Sequence, residues 1–98
     1  MALGSTRLVP GAALVGNLLG TRFAVVSFLE KWSWGASFMA MDTELLRPVL
    51  LKVIARDDDR ARERLIAEAT ALAKKKVQVH DYGKDDSYEF LVIEPENA

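Results

Sequence analysis

The chain has 98 residues, half of them apolar, and a formal net charge of −1. A domain of this length buries only about 60–65% of its unfolded surface, so its stability is marginal. The charge balance excludes a basic nucleic-acid footprint. With no cysteine there is neither a disulfide framework nor a thiolate metal site, and the one histidine, His80, cannot hold a metal alone.

Residues 1–21 are punctuated by Gly and Pro and predict no regular element. The run LVPGAALVGNLLGT (8–21) is shorter than the ~20 apolar residues a membrane span needs. Preceded only by Arg7, it mimics a secretory signal weakly. The expectation is a flexible or surface-packed leader over 1–21 and a folded domain over 22–98. No credible export or membrane signal is present, which implies a cytoplasmic setting without membrane contact.

FAVVSFL (23–29) predicts a buried strand. EKWSWG (30–35) predicts a turn and ASFMAM (36–41) a second strand. DTELLRP (42–48) is a connector. VLLKVIA (49–55) is the clearest strand, apolar except for Lys52. Residues 57–73 are the clearest helix. Asp57, Asp58 and Asp59 offer an N-cap and acidic first-turn charge, and Lys74, Lys75 and Lys76 suit the opposite pole of the helix dipole. Ala61, Leu65, Ile66, Ala69, Leu72 and Ala73 recur at helical spacing. Residues 77–81 and 88–94 predict two further strands, with a hairpin turn at GKDD (83–86). The expected class is α+β: a five-stranded, mostly antiparallel sheet with one long helix packed on it.

Alternate residues of a strand share a face. Leu50, Lys52 and Ile54 therefore face one way, and Val49, Leu51 and Val53 the other. A lysine in so apolar a strand needs a carboxylate or a path to water. Glu68 lies at the edge of the helix's apolar stripe, so Lys52 and Glu68 form a candidate strand–helix ion pair.

These features together resemble the small lobe of protein kinases, and in particular bacterial serine/threonine kinases of the actinobacterial type. RPVLLKVI (47–54) is similar to the third kinase strand, with Lys52 at the lysine position of V-A-I-K. RLIAEATALA (64–73) is similar to helix C, with Glu68 at the glutamate position. VQVHDYGKDDSYEFLVIEPEN (77–97) resembles the fourth and fifth strands and the hinge. The resemblance puts Ile93 at the gatekeeper position and Glu94 to Glu96 in the hinge. VPGAALVGNLLGTRF (9–23) resembles the lead-in before the first strand. The resemblance implies an ATP site at Lys52, Glu68, Gly35, Glu94 and Glu96.

The departures are as informative. Kinases cover the ATP phosphates with G-x-G-x-x-G, where glycine permits close backbone approach. Here the stretch is Glu30-Lys31-Trp32-Ser33-Trp34-Gly35, and only the third glycine remains. Ser37 replaces the valine that covers adenine, and Leu50 replaces the small alanine. The usual His-Pro-Asn segment after helix C is missing. Neither an H-R-D catalytic loop nor a D-F-G metal-binding motif is found in the 98 residues, which implies no phosphoryl transfer by this chain alone.

Other candidates are weaker. His80-Asp81 accompanies no nucleophile-elbow serine. Lys74–Lys76 reads as a solvated helix end rather than a nucleic-acid or lipid patch. Trp32 and Trp34 either anchor a partner or fold back onto the sheet. The expected function is a non-catalytic, pseudokinase-like module with a degraded ATP site and no cofactor. It would act through contact with another protein or a second copy, using Trp32, Trp34 and Ile93. The alternatives are the ATP-binding lobe of a longer serine/threonine kinase and a non-catalytic nucleotide sensor.

Overall fold

The computed structural model describes residues 9–95. In chain order the strands are β1 (Leu18–Leu19), β2 (Phe23–Trp32), β3 (Gly35–Asp42), β4 (Arg47–Ala55), β5 (Val79–Lys84) and β6 (Tyr88–Ile93). Helix α1 (Asp59–Lys74) lies between β4 and β5. All neighbouring strands are antiparallel, in the spatial order β1-β2-β3-β4-β6-β5. The class is α+β as expected, but the described residues hold six strands rather than five. The extra strand is β1, whose two residues are too few to show an alternation in sequence.

The flexible or surface-packed leader expected over 1–21 lies partly outside the described residues, and its described part, 9–21, packs against the sheet. Val9, Leu14 and Leu19 are buried in the same core as Phe23 and Phe90. A short 3-10 turn at Ala12–Leu14 aims Leu14 inward. Gly and Pro here serve bends that bring apolar side chains back onto the sheet.

The alternation in β4 sorts two cores. Val49, Leu51 and Val53 join Phe38, Ala40, Phe90 and Val92 in one apolar cluster. Ile54 joins Leu91, Ile93, Ala61 and Leu65 in a second, under α1, with Leu50 packed against its edge. Full burial of a leucine such as Leu65 contributes roughly 2 kcal/mol.

The helix starts where the acidic run provides a cap. Asp58 accepts from the Ala61 backbone N–H at 3.1 Å. Asp57, one residue earlier, has φ of 66° and turns the chain out of β4. At the other end Lys76 takes φ of 62°. The backbone N–H of Lys76 bonds Ala73 O, and that of Val77 bonds Leu72 O. This left-handed stop satisfies helix carbonyls that would otherwise be orphaned.

Strand β2 runs three residues past its expected end. Register shifts between Val25 and Ser27, and between Phe28 and Glu30, mark two irregularities that let it bend while pairing with β3. Trp32 still pairs with Gly35, leaving only Ser33 and Trp34 in the turn. Polar Glu30 and Lys31 thus belong to a strand, because their backbone groups pair even though their side chains face water.

Candidate functional site

Lys52 projects from β4 on the helix side of the sheet. Its Nζ donates to Glu68 Oε1 on α1, so the expected ion pair is closed. The ammonium also lies 5.4 Å from the centroid of the Trp32 ring, within cation–π range. Trp32 in turn stacks on Trp34, with ring centroids 5.1 Å apart and planes 12° from parallel. Trp34 packs against the core beneath α1. Of the two readings of the tryptophans, the structure supports folding back: both are half-buried and one covers the lysine.

Lys52 opens onto a cleft of about 530 Å³. Leu29, Met39, Leu50, Leu72, Val77 and Ile93 supply its apolar walls. Its polar lining is Ser37, with Lys52 and Lys75 set against Glu30 and Glu94. With Lys52 neutralised by Glu68, the lining leaves Lys75 against Glu30 and Glu94, a rim that does not attract an anion. Metal ligation has no basis among the described residues, where no group of three His, Cys, Asp or Glu gathers.

The sequence-derived residues fare differently. Lys52 and Glu94 line the cleft, and Glu68 is joined to it through its ion pair with Lys52. Glu94 is committed to Gln78: its backbone N–H donates to Gln78 O at 3.0 Å, and its Oε1 accepts the Gln78 N–H at 2.7 Å. Glu96 lies outside the described residues. Gly35 has a reason of its own. A Cβ there would lie 2.6 Å from the carbonyl oxygen of Val53, so sheet packing requires this glycine whether or not any ligand is bound. Ile93 is a correction. Expected on an interaction surface, it is only 1% exposed. It is paired between Leu50 and Val79 on the flanking strands and walls the cleft from within.

Two clamps hold the frame around this site, and the sequence reading missed both. Glu89 is buried on β6, beside α1. It accepts a bidentate pair from Arg62, at 2.9 Å from Nε and 2.7 Å from Nη2. The Tyr82 hydroxyl and the Asp57 backbone N–H add further donors. Arg62, with help from the Tyr82 hydroxyl and the Asp57 N–H, holds the carboxyl near pKa 2, against an ordinary value of 4.5. Burial, then the hydrogen bond it donates to Glu89, pushes the Tyr82 phenol up to about 12. At the far end of the sheet, Asp42 accepts a bidentate pair from Arg22 at 2.9 and 2.8 Å and also caps the backbone N–H groups of Glu44 and Leu45. Arg22 and those amides hold Asp42 well below the usual carboxylate range. Such planar, charge-assisted pairs are the stronger kind. The available signal was a lone glutamate within the apolar run YEFLVI, since a buried carboxylate demands a partner.

Sequence comparison is silent on the family. No family model matches the chain, and no curated protein matches it. Among solved structures, 28 chains match in fold. One is the crystal structure of the kinase domain of PF14_0431, with a TM-score of 0.69 and 18% identity. The alignment covers 93% of this chain and 28% of that one. At this identity the likeness concerns fold alone. No described helix is long and apolar enough to cross a membrane. The described chain therefore has a kinase-like small-lobe fold, and it spans less than a third of the length of that solved neighbour.

Proposed function

We propose that this chain is a pseudokinase-like small-lobe module that does not handle nucleotide phosphates and acts by protein contact. One observation carries the reading: Trp32 lies over the Lys52 ammonium, at a position where the kinase pattern calls for a glycine that would admit phosphate. Glu30 adds a carboxylate to the same rim. A polyanion entering there would displace an indole and meet a like charge.

The contact surface is the sheet region that α1 leaves open. Val26 is 58% exposed and Leu29 49%, with Met41 also exposed on the neighbouring strand. Grouped exposed apolar side chains of this kind favour an interface with another protein or a second copy. Trp32 and Trp34 stiffen the adjoining hairpin rather than project as anchors.

Sedimentation equilibrium tests the contact. The wild type is expected to self-associate as concentration rises, and Leu29→Asp to remain monomeric. A wild type that stays monomeric throughout would remove the second-copy form of the proposal.

A second reading has its own support. The Lys52–Glu68 pair is closed, as an ATP-binding lobe of a serine/threonine kinase requires. That reading, like nucleotide sensing without catalysis, predicts saturable binding of ATP with Mg²⁺.

A further inference from the structure

The turn between β3 and β4 lies away from the cleft and has features that folding alone does not explain. Leu45 is 56% exposed and Leu46 79%, the most exposed large apolar side chain among the described residues. Leu46 also takes φ of 54°, a left-handed conformation that suits glycine and that leucine adopts at a cost. The turn is nonetheless held firmly. Asp42 Oδ1 accepts from the backbone N–H groups of Glu44 and Leu45, and the Leu46 N–H donates to Asp42 O at 2.8 Å. Thr43 donates twice to Arg22 O, from its N–H and from its hydroxyl. Two leucines are thus presented on a rigid, projecting tip, and a pre-organised contact loses little freedom on binding.

Arg47, the next residue, is half-buried, and its Nε is sealed from water without a hydrogen-bond partner. No other buried side-chain nitrogen or oxygen among the described residues is in that state. The acids nearby are already taken. Asp42 faces Arg47 across the hairpin, but its carboxylate accepts from Arg22 and the turn amides. Glu44 lies 3.5 Å from the same Arg22. A buried donor on a charged group without an acceptor is costly, so the fold leaves Arg47 with an unmet bond beside two exposed leucines.

We propose that the β3–β4 turn docks a protein segment in which a carboxylate stands beside apolar side chains, with Arg47 taking the carboxylate and Leu45 and Leu46 the apolar part. A rotation of the guanidinium brings Nε to that carboxylate, in the two-bond geometry that Arg22 and Arg62 already show. Charge selects the carboxylate. With Arg22 engaged, Arg47 is a lone cation, whereas phosphate sites gather several, and the Glu44 side chain, 67% exposed, repels a dianion. Shape selects a protein segment, since small-molecule sites are concave and this turn projects. A second copy fits poorly, because two such turns meeting tip to tip fall short of the roughly 800 Å² per partner of a stable interface. The proposal rests on the reading that the chain acts by protein contact, and it adds a surface and a partner class distinct from the patch at Val26 and Leu29.

The probe is the peptide Leu-Asp-Leu-Leu-Glu with blocked termini, titrated into the full chain while backbone amide and arginine Nε–H signals are followed. Saturable shifts are expected at Leu45, Leu46 and the Arg47 Nε–H. The peptide with Asn and Gln in place of its acids keeps the shape without the charge and is expected to bind about tenfold more weakly. Arg47→Gln is expected to weaken the acidic peptide by a similar factor. Leu46→Gly is expected to melt at or slightly above the wild-type temperature, because glycine accepts this φ, and yet to bind the peptide about fivefold more weakly. Equal binding by Leu46→Gly overturns the anchor, and equal binding of the uncharged peptide overturns the role of Arg47. Tighter binding of a phosphoserine peptide, or concentration-dependent shifts at the turn with no peptide present, overturns the choice of partner. If the acidic peptide causes no saturable shift, the docking proposal falls, while self-association that Leu29→Asp abolishes would leave the protein-contact reading standing.

Discussion

Val49, Leu51 and Val53 point from β4 into a sealed apolar core, whereas Leu50 and Lys52, on the other side of the same strand, line an open cleft. The cluster on the sealed side is made of apolar residues, with Phe38 wholly buried. The open side is held in shape by a lysine–glutamate pair and a pair of stacked indoles. The difference teaches where the two kinds of constraint reside. Packing dictates the sealed side, so substitutions there act on stability. The open side carries polar groups that a core alone would not need, so substitutions there act on what the cleft admits.

The sharpest way to break this contrast is on the sealed side. Phe38→Ala removes a fully buried ring that lies 5.8 Å from the ring of Phe28. It is expected to cost about 4 kcal/mol, a large share of the stability of so small a domain, and urea denaturation would measure it. The clamps come next. Glu89→Gln keeps the size but loses the charge-assisted pair to Arg62, with an expected loss of about 2 kcal/mol.

The same variant changes the pH dependence. The native Glu89 carboxyl has its pKa lowered from 4.5 to about 2. Its stabilisation is therefore fully present above pH 4.5 and fades as pH falls from there through about 2. Glu89→Gln is expected to flatten that part of the acid-unfolding curve. The clamp at Asp42, lowered in the same direction, keeps some acid sensitivity in the variant.

Gly35→Ala probes the boundary between the two sides. The added Cβ meets the Val53 carbonyl, and the strain is expected to cost about 2 kcal/mol, within the range for overpacking. A neutral result would mean that the sheet accommodates the Cβ and that packing does not require this glycine. The smallest stability effect is expected for Lys52→Met, about 1 kcal/mol or less, since its partner Glu68 is partly exposed to solvent. Calorimetric melting of the two variants side by side would show whether the cleft lysine matters less to folding than the hairpin glycine.

Much of this fold was legible because its strongest elements are periodic. The alternation over 49–55 places Lys52 beside Leu50 and Ile54, and the helical stripe through Leu65 places Glu68 towards the same side. Short and irregular pieces were not legible. Strand β1 has two residues, too few for a period to appear. The end of β2 was hidden because Glu30 and Lys31 are polar, although strand pairing uses only their backbones. The stacking of Trp32 on Trp34 depends on a two-residue turn that places them side by side. The pairing of Arg62 with Glu89 spans 27 positions and is set by how the helix crosses the sheet, which local pattern does not encode. Ile93 was misplaced for a related reason: its burial comes from strands on both sides, one of them added after the helix.

Titration of ATP with Mg²⁺ into the wild type and Trp32→Gly, followed by thermal unfolding, tests the central claim most directly. A ligand that binds only the folded state must raise its stability. The melting temperature of the wild type is expected to stay flat up to millimolar nucleotide, and that of Trp32→Gly to rise with concentration as the indole over Lys52 is removed. A saturable rise in the wild type would contradict the account.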